Sequence, residues 1–408
     1  MVTEYIKENI RKTICYEPAD SGEIIGLPHP YTVPTVSDIF HCMYYWDTYF
    51  TNLGLLCIGM TEQAKNNVDN MIYLISRFGF MPNGNKTRYL NRSQPPFLSL
   101  MVKDIFGITH DRVWLKKAYE ALCTEHGFWT THRSTPSGLN RYGYAAPEKD
   151  VEYYALRFIE RTNTRLTKDE YSSAAEAYLT HAESGWDFNP RWGVAGSRFC
   201  PPDLNSLMWA LEMNLHEFAG VLGLADKDHW LSLANRRGDT MRKELCDPSD
   251  GLFKDKNYET GKFSETVSVA SFYPLFVGMA TPQEAQSAHR ALALLEHDYG
   301  ISPCHAPEVK ENYQWNSPNG WPCLQTVTVK ALADYGYAED AVRVAQKYVR
   351  TVDAVFEKTG GLWEKYNIDT GYCDTVNEYQ MPQMMGWTAG SYLYLKAFLT
   401  QSGTESNS

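Results

Sequence analysis

An all-α chain folded as an α/α toroid is the architecture this sequence predicts, on three observations. Helix-spaced apolar positions recur along its 408 residues. The segments between them are loops rich in Gly, Pro and aromatic residues, and strand-like alternation is scarce. No Pro/Gly/Ser-rich linker divides the chain, so the helices are expected to share one core over residues 1–408, with a short flexible tail from about 401. Serial helix pairs around one core close into a toroid whose pocket lies where the inter-helix loops converge. A helical solenoid or an irregular bundle would show the same periodicity.

Taken in order, helical patterns are expected at Tyr49–Ile58, Met60–Phe78, Pro96–Phe106 and Arg112–Trp129. From Pro202 to Gly223, Leu204, Leu207, Met208, Leu211, Leu215 and Phe218 fall at spacings of three and four, with Asp203 placed to cap the start. A helix over Lys227–Leu245 follows, and the turn residues of Asp250–Lys262 suit a short hairpin. Patterns resume at Val267–Met279, Pro282–Asp298, Gln325–Tyr335, Glu339–Phe356 and Thr388–Leu399.

Composition narrows the class of ligand. Aromatic residues make up 13% of the chain, including 27 Tyr and 11 Trp, which fits either a large core or a concave site for a ligand with apolar faces. A formal charge of -11 argues against nucleic acid, whose phosphates need a basic stripe. No apolar stretch approaches 18 residues, so no membrane-spanning helix is expected. The first residues, MVTEYIKENIRKTICYEP, lack the apolar run of a signal peptide, and nine scattered cysteines without a CxxC pair read as reduced thiols. Together these lead to the expectation of a cytoplasmic protein. No clustered His/Cys/Asp spacing calls for a metal, and no cofactor is expected; the oligomeric state is not specified.

Five inter-helix segments combine polar groups, Gly or Pro, and Trp. They are Tyr44-Tyr45-Trp46-Asp47; Met81-Pro82-Asn83-Gly84-Asn85 with Leu90-Asn91-Arg92-Ser93-Gln94-Pro95-Pro96; Glu183-Ser184-Gly185-Trp186-Asp187-Phe188; Tyr313-Gln314-Trp315-Asn316-Ser317-Pro318-Asn319-Gly320-Trp321; and Asn377-Glu378-Tyr379 with Gly386-Trp387. In this order, from about residue 38 to 392, they closely resemble the trehalase family of glycoside hydrolases. The resemblance implies an (α/α)6 barrel and hydrolysis, with inversion, of a small α-glycoside, trehalose or another α-glucoside. It also implies a general acid at Asp187 and a general base at Glu378.

Two carboxylates suit that chemistry, because one must be protonated to expel the leaving oxygen while the other takes a proton from water. Trp186 offers an apolar neighbour that would raise the acid's pKa. A lone loop Asp is also a common cap, and Glu364 in Gly361-Leu362-Trp363-Glu364-Lys365-Tyr366 is a competing carboxylate for the base. Trp46 and Trp315 are candidates to stack on sugar faces, and Asp47, Asn83, Arg92, Gln94 and Gln314 to bind hydroxyls. Phe40, Tyr44, Arg141, Glu148, Gly185 and Trp387 complete the candidate sugar site. Structural roles compete for each: Asn83-Gly84 also suits a turn, and the tryptophans a core.

The chain departs from the family pattern in places. Ile39 stands where a substrate-binding Arg is expected, and Ala146 precedes Pro147-Glu148 where the family has a second Arg. Neither replaces a guanidinium fork, so substrate contacts are expected to differ, with Arg141 a candidate substitute. A glucosylglycerate- or mannosylglycerate-type hydrolase is an alternative within the same chemistry. A sugar epimerase would lean on His pairs that the motif loops lack, and a non-catalytic sugar-binding homologue is argued against by the retained carboxylates.

Overall fold

The computed structural model describes residues 1–403 apart from Asp38, residues 144–145, 307–308, 310, 312 and 376–380. Its helices are α1 (Val2–Asn9), α2 (Tyr45–Cys57), α3 (Thr61–Phe78), α4 (Leu98–Thr109), α5 (Arg112–His132), α6 (Val151–Thr162) and α7 (Tyr171–Ser184) in the first half. The second half contributes α8 (Pro202–Leu222), α9 (Lys227–Leu245), α10 (Tyr273–Phe276), α11 (Pro282–Leu295), α12 (Pro322–Asp334), α13 (Ala338–Thr359) and α14 (Trp387–Gln401).

Two concentric rings account for twelve of them. Each of α2, α4, α8, α10, α12 and α14 packs on the next, and α14 closes on α2. The outer ring alternates with it along the chain: α3 lies against α2, α4 and α5, α9 against α8, and α13 against α12 and α14. Tyr5 of α1 meets Phe356 of α13 edge to face at 4.9 Å, which completes the outer layer. This is the (α/α)6 barrel. The inner helices are buried nearly all round, as α8 and α12 show, whereas α3 and α13 are buried along one side only. Closure at the α14–α2 seam depends on two glycines. A Cβ on Gly390 would lie 1.9 Å from the Phe50 carbonyl oxygen, and one on Gly54 would lie 2.5 Å from Gly390 Cα.

The α6–α7 pair stands outside this alternation, as an antiparallel hairpin between α5 and α8 with its own small core around Phe158, Phe188 and Tyr313. Neither helix was expected, and nor was α1. The expected helix over Val267–Met279 is replaced by a two-residue strand, Val267–Ser268, paired with Cys304–His305, then a 3-10 turn and the single turn of α10. Its apolar run is buried on all sides, so periodicity could not separate strand from helix, and Pro274 sits where a longer helix would need an amide. The Asp250–Lys262 turn forms, with Lys256 bridging Phe263. Asp203 does not cap α8: it lies within the helix's first turn, after the N-cap Pro201, and its carboxylate pairs with Arg191 at 2.7 Å. Of the expected C-terminal tail, residue 401 ends α14 and 404–408 lie outside the described residues.

Candidate active site

A cavity of about 400 Å³ opens at one end of the barrel. The segments that reach it lead into the N-termini of inner helices: Trp46 and Asp47 open α2, Arg92 and Gln94 precede α4, Asp187 precedes α8, Trp315 and Trp321 precede α12, and Trp387 begins α14. Helix N-termini carry partial positive charge, which suits carboxylates gathered at this end.

Asp47 sits in the first turn of α2, so the Tyr-Trp-Asp motif is helical rather than a loop. That turn is fastened by Gln94 Oε1, which accepts the Trp46 amide at 3.2 Å, and by Asn83, whose carbonyl accepts the Tyr45 amide at 3.0 Å. Burial pushes the Asp47 carboxyl up to about 8, and the charges of Glu364 and Asp187 add to the effect. Asp47 is therefore protonated at neutral pH and able to donate a hydrogen bond.

Asp187 is positioned by the way α7 ends. Gly185 takes the left-handed conformation at the helix C-cap, with φ 75°. Its missing side chain also matters: a Cβ there would fall 2.6 Å from Trp46 Cε2. Ser184 Oγ accepts the Trp186 amide at 3.2 Å, and Asn189 Nδ2 donates to the Trp186 carbonyl at 2.7 Å, so the turn is held on both sides of the indole. The Asp187 carboxylate faces the cavity, 3.5 Å from Arg161 Nη1. Burial raises its pKa, Arg161 and Arg92 pull it down, and Glu364 pushes it up again, with a net rise. Glu183, one turn earlier, is wholly buried. Against the cost of that burial, Arg133 and the Ser93 and Gly143 amides hold it below the ordinary carboxylate range.

Beneath the cavity lies a column of flat groups. Trp315 is nearly parallel to Trp321, with centroids 4.0 Å apart, and to Trp186 at 5.6 Å. The column is closed by two buried cations, Arg191 4.6 Å from the Trp186 ring and Lys365 4.6 Å from Trp321. Trp315 thus lines the cavity while packed ring to ring against Trp321 and Trp186. Arg191 in turn is fixed by Asp203 and Asp255.

Phe40, Tyr44, Trp46, Asp47, Asn83, Arg92, Gln94, Gly185, Asp187, Gln314, Trp315 and Trp387 thus all line one cavity. Arg141 and Glu148 do not. The Arg141 guanidinium donates to the carbonyls of Tyr142 and Gly143, and Glu148 is exposed in a 3-10 turn. Glu378 lies outside the described residues. Sequence reasoning missed Arg88, Tyr89, Tyr153, Tyr154, Arg157, Arg161 and Tyr178, and it named Glu364 only as a rival base. A signal for the α6 group was present: Tyr153, Arg157 and Arg161 recur every four residues, one helical face. Ile39 is exposed and Ala146 packs against the α6–α7 core, so the guanidinium groups at the cavity come from α6 and the 88–92 segment.

A double ring of helices around a cavity with carboxylates and indoles at its floor defines the (α/α)6-barrel class of glycoside hydrolases. The trehalase family model matches residues 2–400, and the chain belongs to the trehalase family. A periplasmic trehalase of Xanthomonas campestris pv. campestris is 33% identical over 405 residues, covering 93% of this chain and 69% of the relative. A periplasmic trehalase of Salmonella paratyphi B is 32% identical, covering 93% and 70%. Among solved structures, a neutral trehalase from Saccharomyces cerevisiae superposes with a TM-score of 0.78 at 24% identity, covering 98% of this chain and 80% of that one. A mannosylglycerate hydrolase from Thermus thermophilus superposes with a TM-score of 0.69 at 15% identity, covering 97% of this chain and all of that one.

These relatives overturn the expected cytoplasmic location, since the curated proteins at 32–33% identity are named periplasmic trehalases. The cysteine argument fails for a structural reason: all nine are free, and Cys42, Cys200, Cys304 and Cys323 are buried singly, which leaves them unpaired in an oxidising or a reducing compartment alike.

Proposed function

We propose that this glycoside hydrolase cleaves a small α-glucoside, with trehalose the first candidate, by inversion between Asp187 and Glu378. In this reading Asp187 gives its proton to the glycosidic oxygen as the anomeric C–O bond breaks. Glu378 takes a proton from the water that attacks the opposite face of the sugar, and the released sugar is the β-anomer. The two protons then re-equilibrate through solvent. One sugar ring sits over Trp46 and Asp47, where the neutral Asp47 carboxyl donates to a hydroxyl; a substrate lacking that hydroxyl would leave a buried polar group unmatched.

The observation that carries the reading is Asp187. It is held by a glycine-capped helix end at the wall of an aromatic-floored cavity, its pKa raised by burial as a proton donor requires. Membership of the trehalase family and the periplasmic trehalases among its relatives support trehalose as substrate. Glu364 remains the rival base: its carboxylate lines the same cavity, paired with the buried Lys365 at 2.8 Å.

Proton NMR of trehalose cleavage tests the mechanism: inversion should release β-glucose from the attacked ring together with α-glucose from the leaving ring, whereas retention would release α-glucose alone. Asp187→Asn and Glu378→Gln should each lower kcat by roughly a hundred- to ten-thousandfold while the protein stays folded. Near-normal turnover in Glu378→Gln together with loss in Glu364→Gln would move the base to Glu364. Initial release of α-glucose alone would refute inversion.

A further inference from the structure

A histidine that the proposed chemistry does not use ties together the backbone on both sides of Asp187. His181 lies on α7 one turn before Gly185 and is fully buried. Its Nε2 is 3.0 Å from the Gly193 carbonyl oxygen, which can only accept, so Nε2 carries the proton and Nδ1 is left as an acceptor. Nδ1 receives the Asn189 amide at 3.3 Å and lies 3.1 Å from Asn189 Nδ2. Burial lowers the ring's pKa to about 4, with the Gly193 contact opposing and the charge of Arg191 assisting. The neutral ring that this pattern needs is therefore the form present at neutral pH.

Asn189 passes the hold on to the acid. Its Nδ2 also donates to the Trp186 carbonyl at 2.7 Å, and its Oδ1 accepts the Arg191 amide at 3.0 Å. Asp187 is thereby spanned: the carbonyl before it is fixed through Asn189, and the Phe188 carbonyl after it accepts the Trp315 amide at 2.9 Å. The His181 ring packs on Phe188 as well, with centroids 5.3 Å apart, and edge to face on Trp192 at 5.4 Å. Neither His181 nor Asn189 lines the cavity, so both act on Asp187 through the backbone.

We infer that His181 is a positioning residue for the reaction: through Asn189 it sets where the Asp187 carboxyl stands relative to the glycosidic oxygen. This rests on the reading of Asp187 as the acid. Proton transfer tolerates little displacement, and a shift of ~1 Å costs about a hundredfold in rate. Two substitutions separate the hydrogen bonds from the packing. His181→Phe keeps an aromatic ring against Phe188 and Trp192 but removes both hydrogen bonds. His181→Asn places an oxygen near the site of Nδ1 and gives up the ring packing.

The test measures kcat and KM for the full-length parent and both variants, well below the Tm of each, on the α-glucoside the parent cleaves fastest, with trehalose tried first. His181→Phe should lower kcat by roughly ten- to hundredfold with KM within about threefold of the parent, and His181→Asn should recover most of that loss. Packing alone would give the reverse order, because His181→Phe preserves the fill of the core. Unchanged kcat in His181→Phe, or a deeper loss in His181→Asn, overturns the inference. If His181→Phe does not fold, His181→Leu removes the same two hydrogen bonds with a smaller side chain and is held to the same outcomes. A second arm reads the route: Asn189→Ala should lower kcat to a similar extent, and the double variant with His181→Phe no further, whereas losses that multiply overturn the route through Asn189. Asp187→Asn keeps this inference distinct from the reading beneath it. Near-normal turnover there removes the acid assignment, whereas an inactive Asp187→Asn beside a fully active His181→Phe defeats the positioning role alone.

Discussion

Replacing Gly185 by alanine tests how the Asp187 turn and the Trp46–Asp47 turn depend on each other. At φ 75° any L side chain is strained, at a cost of ~1–2 kcal/mol. The added Cβ would also lie 2.6 Å from Trp46 Cε2, so the indole would have to retreat by about 0.8 Å to reach ordinary contact. It has little room to do so, with Phe97, Trp315 and Trp387 at ring separations of 6.4, 5.6 and 6.0 Å. Overpacking of this kind costs ~1–3 kcal/mol, for a total of ~2–5 kcal/mol. An unfolding entropy of ~2.1 cal/mol/K per residue gives ~0.9 kcal/mol/K for 408 residues, hence a fall in Tm of about 2–6 °C. Because Asp47 follows Trp46, a shift of this size should also lower kcat/KM by about a hundredfold. Gly193 is the matched control: its φ is 53° and a Cβ there meets nothing within 4 Å, so alanine should cost the strain alone and leave turnover in place. Calorimetric melting at a fixed scan rate and initial rates on trehalose measure both effects. Equal losses of Tm at the two positions, with kcat/KM kept in both variants, would refute the close-approach argument.

Asp47 gives a pH test. With its carboxyl at about 8 in the fold and near ~3.9 unfolded, the native state alone holds the proton between those values, so stability falls as pH rises through that window and levels off above it. Urea midpoints of Asp47→Asn should lack that component, and identical pH trends in variant and parent would contradict the assignment. Removing the cation beside the acid should act on the rate profile instead. Arg161→Gln should raise the Asp187 pKa and move the alkaline limb of kcat/KM to higher pH, and an unmoved limb would show that this contact is unimportant. Arg133→Met strands the fully buried Glu183 carboxylate at a cost of ~3–5 kcal/mol. A Tm within one degree of the parent would be incompatible with the pairing described.

The inner-ring helices other than α10, and most of the cavity lining, could be read from the sequence because local signals and motif order agree there. Asn83, Arg92-Gln94, Gly185-Asp187 and Gln314-Trp315 lie in short segments whose Gly, Pro and Asn fix the backbone, so residue identity predicts position, and Trp46-Asp47 open a helix at the cavity. The α6–α7 hairpin was not legible in this way. It is an insertion between ring helices, and its aromatic and arginine face reads as an ordinary solvated amphipathic helix unless the site it borders is already known. Arg141 and Glu148 were misplaced for a related reason: they belong to the stretch where the chain departs from its family, and there the backbone carbonyls of Tyr142 and Gly143 use the guanidinium. The functions of single tryptophans were also opaque, since composition cannot tell a stacked Trp315 from one open to ligand.

The column from Arg191 through Trp186, Trp315 and Trp321 to Lys365 has a practical corollary for spectroscopy. Three of the protein's 11 tryptophans are held within one stack beside the cavity, two of them lining it, so much of the near-ultraviolet dichroism, a signal that depends on fixed side-chain packing, should originate there. Far-ultraviolet dichroism follows the helical rings instead. Melting followed at the two wavelengths therefore separates opening of the site from collapse of the barrel, and a gap between the two curves measures how far the site can loosen while the scaffold stays whole.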